Sequence, residues 1–255
     1  MKTYFLLLGF LICTLASAQK AGPQGAYQLL SAQYGDTPPE IANGGDAKAA
    51  KIIKDGYWIA GFYDTKDKPF SGACAGSYTI KDGKYVETLY FFSWDSTAAA
   101  NTFSFDYTIE SNYYHQYGKI QSDKYKDYII DEMYLKKQSA EPVKNNALEG
   151  VWFLESGKWG DQTYDRKTNP DRMGMKIYAY PMAFFSHWDN KTHSFFGAGG
   201  SNYQFDGQTL TENLVFTSLE EAGKTHQIKI TLQGDTYTQE WDGFKEVWRK
   251  APASK

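Results

Sequence analysis

Side chains that recur at every second position dominate the pattern of apolar and polar residues along this chain. One such series runs from Gly25 to Ser31, and another, with a glutamate at its start, runs from Glu87 to Ser93. A period of two is typical of a strand, in which alternate side chains lie on one face. The pattern therefore predicts strands near residues 25–33, 51–54, 57–64, 72–80, 84–93, 102–110, 112–117 and 127–135, and again near 149–157, 173–178, 182–188, 195–205, 208–217, 226–232, 235–241 and 244–249.

Helices have little place in this pattern. Residues 47–54 and 97–101 each predict one helical turn at most, and no long amphipathic helix is expected. The dipeptides Asp82-Gly83 and Asp206-Gly207 lie between alternating runs and predict hairpin turns, because glycine accepts a positive φ there. The Asp-Gly pair is displaced by one residue between the two places while the flanking segments stay in register, so the two turns should differ in type.

The two sets of strands are copies of each other. A shift of 125 positions aligns residues 25–31 with 150–156 and residues 87–93 with 212–218. The offset holds between these segments without a gap, which chance similarity rarely does. Beyond Ser93 the offset shrinks, so the first copy carries extra residues, expected around 113–126. We conclude that the chain contains an internal duplication.

The duplication predicts the domain organisation. A leader over residues 1–18 is followed by a first domain over 19–137, a polar linker over 138–147 and a second domain over 148–255. Each copy has an ordinary length for one domain. About eight short antiparallel strands per copy favour an all-β fold of two up-and-down barrels, because closure removes the free sheet edges. A pair of β-sandwiches is the alternative.

The start and the end of each copy resemble the lipocalin pattern of the wider calycin superfamily. The residues that carry the resemblance are Gly150, Trp152 and Arg249 in the second copy and Gly25, Tyr27 and Lys136 in the first. In lipocalins the opening Gly-x-Trp packs under a basic residue from the end of the barrel. The layout is most similar to the compact lipocalin-like domains of secreted bacterial proteins. The resemblance implies two tandem lipocalin-like barrels in which these six residues are structural.

Composition and charge limit the kinds of partner that the chain can bind. Aromatic residues make up 17% of the chain, with 23 glycines and 8 prolines, which suits half-buried pleated surfaces with many turns. Without residues 1–18, and so without Lys2, 26 basic side chains stand against 30 acidic ones, a net charge of −4. This mild charge gives no field for nucleic acid or an anionic membrane. No later apolar run approaches the roughly 20 residues of a spanning helix.

The leader predicts export. Lys2, an apolar run over 5–15 and the small residues 16–18 have the layout of a secretory signal peptide with cleavage after Ala18. We therefore expect a periplasmic or secreted protein. Only Cys74 remains after cleavage, so no disulfide can form within the chain.

Glu87 and Glu212 are the leading candidates for ligand binding. Their strand repeats the pattern Glu-x-Leu-x-Phe-x-Ser, whereas its opposite face differs between the copies. We therefore expect the glutamate, leucine and phenylalanine to point into the barrel together. A buried carboxylate needs a partner or becomes neutral. It is either a polar anchor at the base of a ligand pocket or a structural residue near the barrel mouth, paired with Lys51 or Lys176 or with a turn amide.

Other candidates accompany these glutamates. Tyr78 and Tyr203 lie one hairpin arm away and could contact the glutamate across the strands, although a core tyrosine with a satisfied hydroxyl needs no function. His187 and Trp188 lie on a strand expected to line the second barrel. Phe62 of the first copy aligns with His187. A lone histidine of this kind is more often structural. The histidines lack metal-binding spacing, and we expect neither a metal nor another cofactor.

Three functions remain open. The first is an exported, non-catalytic protein that holds a small apolar or aromatic molecule in one or both barrels. The second is a surface module that binds polysaccharide or protein through exposed aromatics, with Trp58, Trp94, Trp159 and Trp188 as candidates. The third is an isomerase, cyclase or hydrolase in a barrel pocket, with glutamate and tyrosine or histidine as acid and base. The unduplicated histidines and the lack of a nucleophile motif weigh against an enzyme.

Overall fold

Two closed antiparallel β-barrels of eight strands each make up the fold, with almost no helix. The computed structural model describes residues 21–41, 47–64, 70–122, 124–139, 146–219 and 222–252. The signal peptide expected at 1–18 and the middle of the linker expected at 138–147 lie outside the described residues. The prediction of an all-β fold with two barrels is confirmed.

Barrel 1 is formed by the first copy. Its strands are β1 (Gly25–Tyr34), β2 (Glu40–Ile41), β3 (Ala47–Lys54), β4 (Tyr57–Asp64), β5 (Gly72–Lys81), β6 (Lys84–Phe92), β7 (Thr102–Glu110), β8 (Tyr113–Ile120) and β9 (Tyr128–Lys136). The strands from β3 to β9 form a meander, and β1 pairs with both β3 and β9 to close the ring. The short β2, which the sequence pattern missed, pairs with the far end of β1 outside the ring.

Barrel 2 repeats this topology. Its strands are β10 (Gly150–Trp159), β11 (Gln162–Asp165), β12 (Arg172–Ala179), β13 (Met182–Asp189), β14 (Phe195–Phe205), β15 (Thr209–Thr217), β16 (Thr225–Gln233), β17 (Thr236–Trp241) and β18 (Phe244–Lys250). Here β10 pairs with β12 and β18, and the short β11 lies outside the ring.

The two hairpin turns with Asp-Gly differ, as predicted. Asp82 and Gly83 both have a positive φ, 51° and 77°, which is the pattern of a tight two-residue hairpin turn. In barrel 2 the Asp206 carboxylate instead accepts hydrogen bonds from the backbone amides of Gln208 and Thr209.

A β-bulge interrupts the strand that carries each candidate glutamate. In β6 the register shifts past Tyr90, so that Leu89 packs inside barrel 1 whereas Phe91 packs outside it. The same shift in β15 places Phe216 outside barrel 2. The expectation that the glutamate and the phenylalanine share one face is therefore wrong, because one extra residue reverses the alternation.

The chain that precedes each barrel closes one of its ends. The Tyr78 hydroxyl donates to the Pro23 carbonyl at 3.1 Å, and the Tyr107 hydroxyl donates to the Ala21 carbonyl at 3.2 Å. In barrel 2, Trp152 Nε1 donates to the carbonyl of the fully buried Leu148 at 2.7 Å. Access to either lumen must therefore come from the opposite end.

The outer faces of the barrels pack against each other through apolar side chains. Strands β3 to β6 supply Ala50, Ile52, Ile59, Ala73 and Phe91, and strands β12 to β15 supply Met175, Ile177, Phe184, Ala198 and Phe216. All of these side chains are almost completely buried. Because burial of apolar surface drives association, the two barrels form one packed unit.

The contacts across this interface repeat with pseudo-two-fold symmetry. Phe70 stacks on Phe195, its own counterpart at the offset of 125, with ring centroids 5.9 Å apart. Two further contacts are reciprocal: Tyr63 with Phe216 at 5.1 Å and their counterparts Trp188 and Phe91 at 5.8 Å. Such reciprocity is the mark of a symmetric dimer interface. The chain therefore arranges its two copies as a two-fold dimer would.

The two expected helical turns have different outcomes. Residues 47–54 form strand β3, because Ala50 and Ile52 are needed in the interface between the barrels. A 3₁₀ turn does occur at Ser96–Ala98, where the Asp95 side chain accepts from the Thr97 amide. No helix among the described residues is long and apolar enough to cross a membrane.

The interface leaves no room for a side chain at Gly61. A Cβ at this position would lie 2.0 Å from the Phe216 ring of barrel 2. We expect Gly61→Ala to lower the free energy of unfolding by about 1–3 kcal/mol through overpacking, measured by urea denaturation. Thr108→Val, at an exposed site on β7, should change it by less than about 0.5 kcal/mol. A Gly61→Ala protein as stable as the wild type would contradict this packing.

Candidate functional site

A layer of four buried polar side chains crosses the lumen of barrel 1. Lys51 Nζ lies 2.5 Å from Glu87 Oε1 and donates to Gln116 Oε1 at 2.9 Å. Gln116 Nε2 in turn donates to Glu132 Oε2 at 2.8 Å. None of the four residues is more than 6% exposed. Because buried charges are costly unless they are paired and hydrogen-bonded, these contacts hold the four side chains in place.

The layer contains two carboxyl groups but one ammonium group. Glu132 Oε1 accepts from the Tyr34 hydroxyl at 2.7 Å. Burial raises the pKa of Glu132, and the positive charge of Lys51 opposes this shift. Because carboxyl groups outnumber the ammonium group, the layer favours either a proton on one carboxyl group or a hydrogen-bond donor beside it.

Barrel 2 contains the same layer. Lys176 Nζ donates to Gln239 Oε1 at 3.1 Å and lies 3.9 Å from Glu212 Oε1. Gln239 Nε2 donates to Glu246 Oε2 at 2.6 Å, and Trp159 Nε1 donates to Glu246 Oε1 at 2.7 Å. Burial raises the pKa of Glu246 as well. The layer therefore belongs to the architecture that both copies share, and the candidate glutamates are paired with the lysines considered from the sequence.

Barrel 1 contains a cavity of about 680 Å³ on the open side of this layer. The polar layer is its floor, and its walls are mostly apolar, formed by Trp58, Ala60, Phe62, Cys74, Leu89 and Phe105 among others. Its volume lies within the ordinary range of small-molecule sites. A mostly apolar wall over a polar floor suits a ligand with an apolar body and one polar end.

Two segments meet across the mouth of this cavity. Lys124 Nζ, in the hairpin between β8 and β9, lies 2.6 Å from Asp95 Oδ2 beside the 3₁₀ turn. This contact with Lys124 lowers the pKa of Asp95 to about 2. Trp94 is 48% exposed and also lines the mouth, together with Tyr125. The hairpin holds seven residues (121–127) where barrel 2 has two (242–243), so the extra residues of the first copy lie at the mouth.

In barrel 2 large side chains occupy the corresponding space. The ring of His187 lies 6.4 Å from that of Trp159, 5.8 Å from that of Phe185 and 6.2 Å from that of Trp248, between centroids. The Arg172 guanidinium carbon lies 5.5 Å from the Trp159 ring. These side chains pack on one another and on the polar layer, through the bond from Trp159 to Glu246.

Two facing positions account for the difference between the lumens. Ala60 pairs with Cys74 across β4 and β5 in barrel 1, and their counterparts Phe185 and Gly199 pair across β13 and β14 in barrel 2. A Cβ at Gly199 would lie 2.5 Å from the Phe185 ring. The glycine therefore makes room for the phenylalanine that fills barrel 2, whereas the small Ala60 leaves barrel 1 open.

The predicted tyrosines lie at the closed ends of the barrels. Tyr78 and Tyr203 pair in register with Glu87 and Glu212, as expected from the hairpins. Their hydroxyl groups, however, bond to the segments that precede the barrels, Tyr78 to Pro23 and Tyr203 to the Asn146 side chain. Both tyrosines are thus structural contacts, and Tyr78 is not part of the cavity lining.

The aromatic candidates are placed in three different environments. Phe62 lines the cavity of barrel 1. His187 lies in the filled lumen of barrel 2, where burial lowers its pKa to about 3 and keeps it neutral. The expectation that Trp188 lines a lumen is wrong. It faces barrel 1 and stacks on Tyr90 at 5.5 Å, because adjacent strand residues point to opposite faces.

One of the six residues that carry the lipocalin resemblance does not have the expected role. Gly25 and Gly150 have φ values of +132° and +127°, and a Cβ at Gly25 would lie 2.7 Å from Lys136 Cε. The basic residue over Trp152 is Lys250, whose Nζ lies 5.3 Å from the ring. Arg249, expected in this role, points to the other face and bonds to Asp235 at 2.9 Å.

Sequence reasoning missed half of the polar layer. A shift of 123 aligns Gln116 with Gln239, and a shift of 114 aligns Glu132 with Glu246 and Lys136 with Lys250. The ends of the two copies match visibly, so Glu132 aligns with Glu246 from the sequence alone, but nothing local indicates that this glutamate points inward to meet the lysine. The match of Gln116 needs an offset of its own, which the alignment at 125 does not show.

Cys74 adds no reactive group to the cavity. It is free and buried, and burial raises the pKa of its thiol, which therefore stays protonated at neutral pH. In the part of the chain that the structure describes, no three His, Cys, Asp or Glu side chains are grouped as metal ligands.

Comparison with known proteins shows the fold alone. No protein-family model and no curated protein matches the chain. Among solved structures, the chain is similar to an uncharacterized protein, YLR301w, from Saccharomyces cerevisiae, with a TM-score of 0.50 and 12% identity. The match covers 91% of this chain and 99% of the yeast chain. At this identity the likeness is one of architecture.

The polar layer should contribute strongly to stability. Lys51→Met leaves the carboxyl groups of Glu87 and Glu132 without their cation, so we expect the free energy of unfolding to fall by about 3–5 kcal/mol, measured by urea denaturation. Lys84→Met removes an exposed ion pair with Asp106 and should cost less than about 1 kcal/mol. Equal losses in the two variants would contradict a buried, charged layer.

The raised pKa of Glu132 predicts a pH dependence. The folded protein holds the Glu132 proton more tightly than the unfolded chain does. Its contribution to stability is therefore full below the ordinary carboxyl pKa and is lost as the pH rises through the raised value. Unfolding free energies measured from about pH 4 to pH 7 should fall less steeply in Glu132→Gln than in the wild type. The same flattening in Glu110→Gln, at an exposed site, would refute the assignment.

Proposed function

We propose that the protein is an exported, lipocalin-like binding protein that holds one small, largely apolar or aromatic molecule in barrel 1. One observation carries this proposal. The same barrel contains a cavity of about 680 Å³ in the first copy and packed side chains in the second. Barrel 2 then acts as a scaffold that covers one face of barrel 1.

The lining of the cavity defines the class of ligand. Its walls are mainly aromatic and aliphatic, whereas its floor presents Glu87 and Glu132 against Lys51 alone. The polar end of the ligand should therefore donate hydrogen bonds, as an amine, an amide or a hydroxyl group does. A ligand whose only polar group is a carboxylate would meet the excess negative charge of the floor.

The first residues of each barrel support the lipocalin-like assignment. Lys136 covers Gly25 and Lys250 covers Trp152, which is the packing that the resemblance implies. Export rests on the signal-peptide pattern of residues 1–18.

A surface function is a second candidate, and a different set of residues favours it. Trp58 and Trp188 are buried, so neither can form an exposed binding surface. Tyr113 and Tyr117, however, are 48% and 41% exposed on the outer face of β8, with His115 between them. A row of this kind could stack on a polysaccharide.

Filling the cavity provides the test. Ala60→Phe introduces the side chain that barrel 2 carries at the equivalent position. We expect it to abolish binding of N-phenyl-1-naphthylamine, an uncharged aromatic probe with one N–H donor. Binding would be measured by probe fluorescence and, with a panel of lipids and aromatic amines, by native mass spectrometry. Near-ultraviolet circular dichroism would verify that the variant is folded.

The matched control is Phe185→Ala in barrel 2, which should leave the affinity of the barrel 1 site unchanged. Wild-type binding by Ala60→Phe would overturn the proposal. Polysaccharide binding that survives Ala60→Phe but is lost in a Tyr113→Ala, Tyr117→Ala double variant would favour the surface function instead.

A further inference from the structure

A second cavity of about 350 Å³ lies in a cleft between the barrels, separate from the lumen of barrel 1. The two barrels contribute to it jointly, with Tyr57 and Tyr90 from barrel 1 and with Phe153, Trp188, Arg166 and Arg249 from barrel 2. It shares no lining residue with the barrel 1 cavity. Its volume is still within the range of small-molecule sites.

Aromatic rings form the walls of this cleft in two pairs, and each pair joins the two barrels. Tyr57 meets Phe153 edge to face with centroids 5.4 Å apart, and Tyr90 stacks on Trp188 at 5.5 Å. Because Trp188 is 1% exposed and packs in the interface, its ring is held in one position. A planar apolar group could pack against these fixed rings.

Positive charge lines the rim. Arg166 Nη1 lies 3.6 Å from Glu155 Oε1, and Arg249 Nε lies 3.4 Å from the same oxygen. Arg249 also bonds to Asp235, which is largely exposed. Lys250 also lines the cleft, but its Nζ lies over the Trp152 ring. The rim therefore presents two guanidinium groups side by side, and guanidinium groups bind carboxylates well.

The side chains of this cleft are not repeated at the place on the interface that the pseudo-two-fold symmetry relates to it. The counterparts of Arg166 and Phe153 at the offset of 125 are Ile41 and Gln28, and the last-strand offset of 114 matches Arg249 with Leu135. The interface packing is shared by both sides, but the arginines and the paired rings are not. The polar and aromatic character of the cleft is thus not a by-product of how the barrels pack.

We propose that this cleft binds a small planar aromatic carboxylate, with its ring against Trp188 and Phe153 and its carboxylate at Arg166 and Arg249. The cleft thus favours a negatively charged ligand, whereas the floor of barrel 1, with its excess of carboxylate, favours a hydrogen-bond donor. This site is independent of the function proposed above, since the two cavities lie in different places.

Isothermal titration calorimetry with indole-3-acetate tests the site. We expect saturable one-to-one binding to the wild type. Tryptamine, which has the same ring system and the opposite charge, should show no saturable binding to Ala60→Phe, in which the lumen of barrel 1 is filled. An Arg166→Gln, Arg249→Gln double variant should bind at least about tenfold more weakly, because it loses charge-assisted hydrogen bonds. Lys229→Gln, which removes an exposed cation on β16, should bind as the wild type does.

One more variant separates this site from the lumen of barrel 1. Ala60→Phe should retain full affinity. The proposal is overturned by the absence of saturable binding, by loss of binding in Ala60→Phe, which would place the ligand in barrel 1, or by unchanged affinity in the double arginine variant.

Discussion

The buried layer of lysine, glutamate, glutamine and glutamate determines how each barrel is organised. A charge inside a barrel is tolerated only with its partners in place, so Lys51 has to meet both Glu87 and Gln116. The layer divides the lumen into a closed half, sealed by the chain before the first strand, and an open half that faces the loops. Any ligand site in a lumen must therefore lie on the open side. Barrel 2 has the same division, with Lys176 in place of Lys51.

The apolar interface imposes a second constraint, on the outer faces of β3 to β6 and β12 to β15. Apart from the lysine and glutamate of the polar layer, these strands are mainly apolar on both faces, because one face packs inside its barrel and the other packs on the neighbouring barrel. Strands β6 and β15 must each present a glutamate to the lumen and a phenylalanine to the interface. Their β-bulges make this possible, because the extra residue lets the glutamate point inward and the later phenylalanine point outward. The reciprocal contacts keep the symmetry of a dimer, while substitution in the open halves has made the two lumens different.

Much of this architecture could be predicted from the sequence, because period-two alternation and a gapless repeat are local signals. The strands, the hairpins and the pairing of Tyr78 with Glu87 all follow from them. The bulges leave no such signal, so Phe91 was expected in the lumen. Trp188 was misplaced because strands that are apolar on both faces conceal which face is inside. The repeat of Glu132 at the end of each copy is visible in the sequence, but nothing local indicates that it meets the lysine layer, and Gln116 aligns with its counterpart only at a further offset. The open cavity depends on Ala60 facing Cys74, a contact that only the folded barrel reveals.

The proposed function rests on an accessible lumen in barrel 1 and a filled lumen in barrel 2. Crystals of the unmodified protein under xenon pressure measure this directly, because xenon enters apolar cavities and reports their position. The account predicts a xenon atom in barrel 1 beside Ala60 and Leu89, and none between Phe185 and Trp159 in barrel 2. Xenon in the lumen of barrel 2, or in neither barrel, would contradict it.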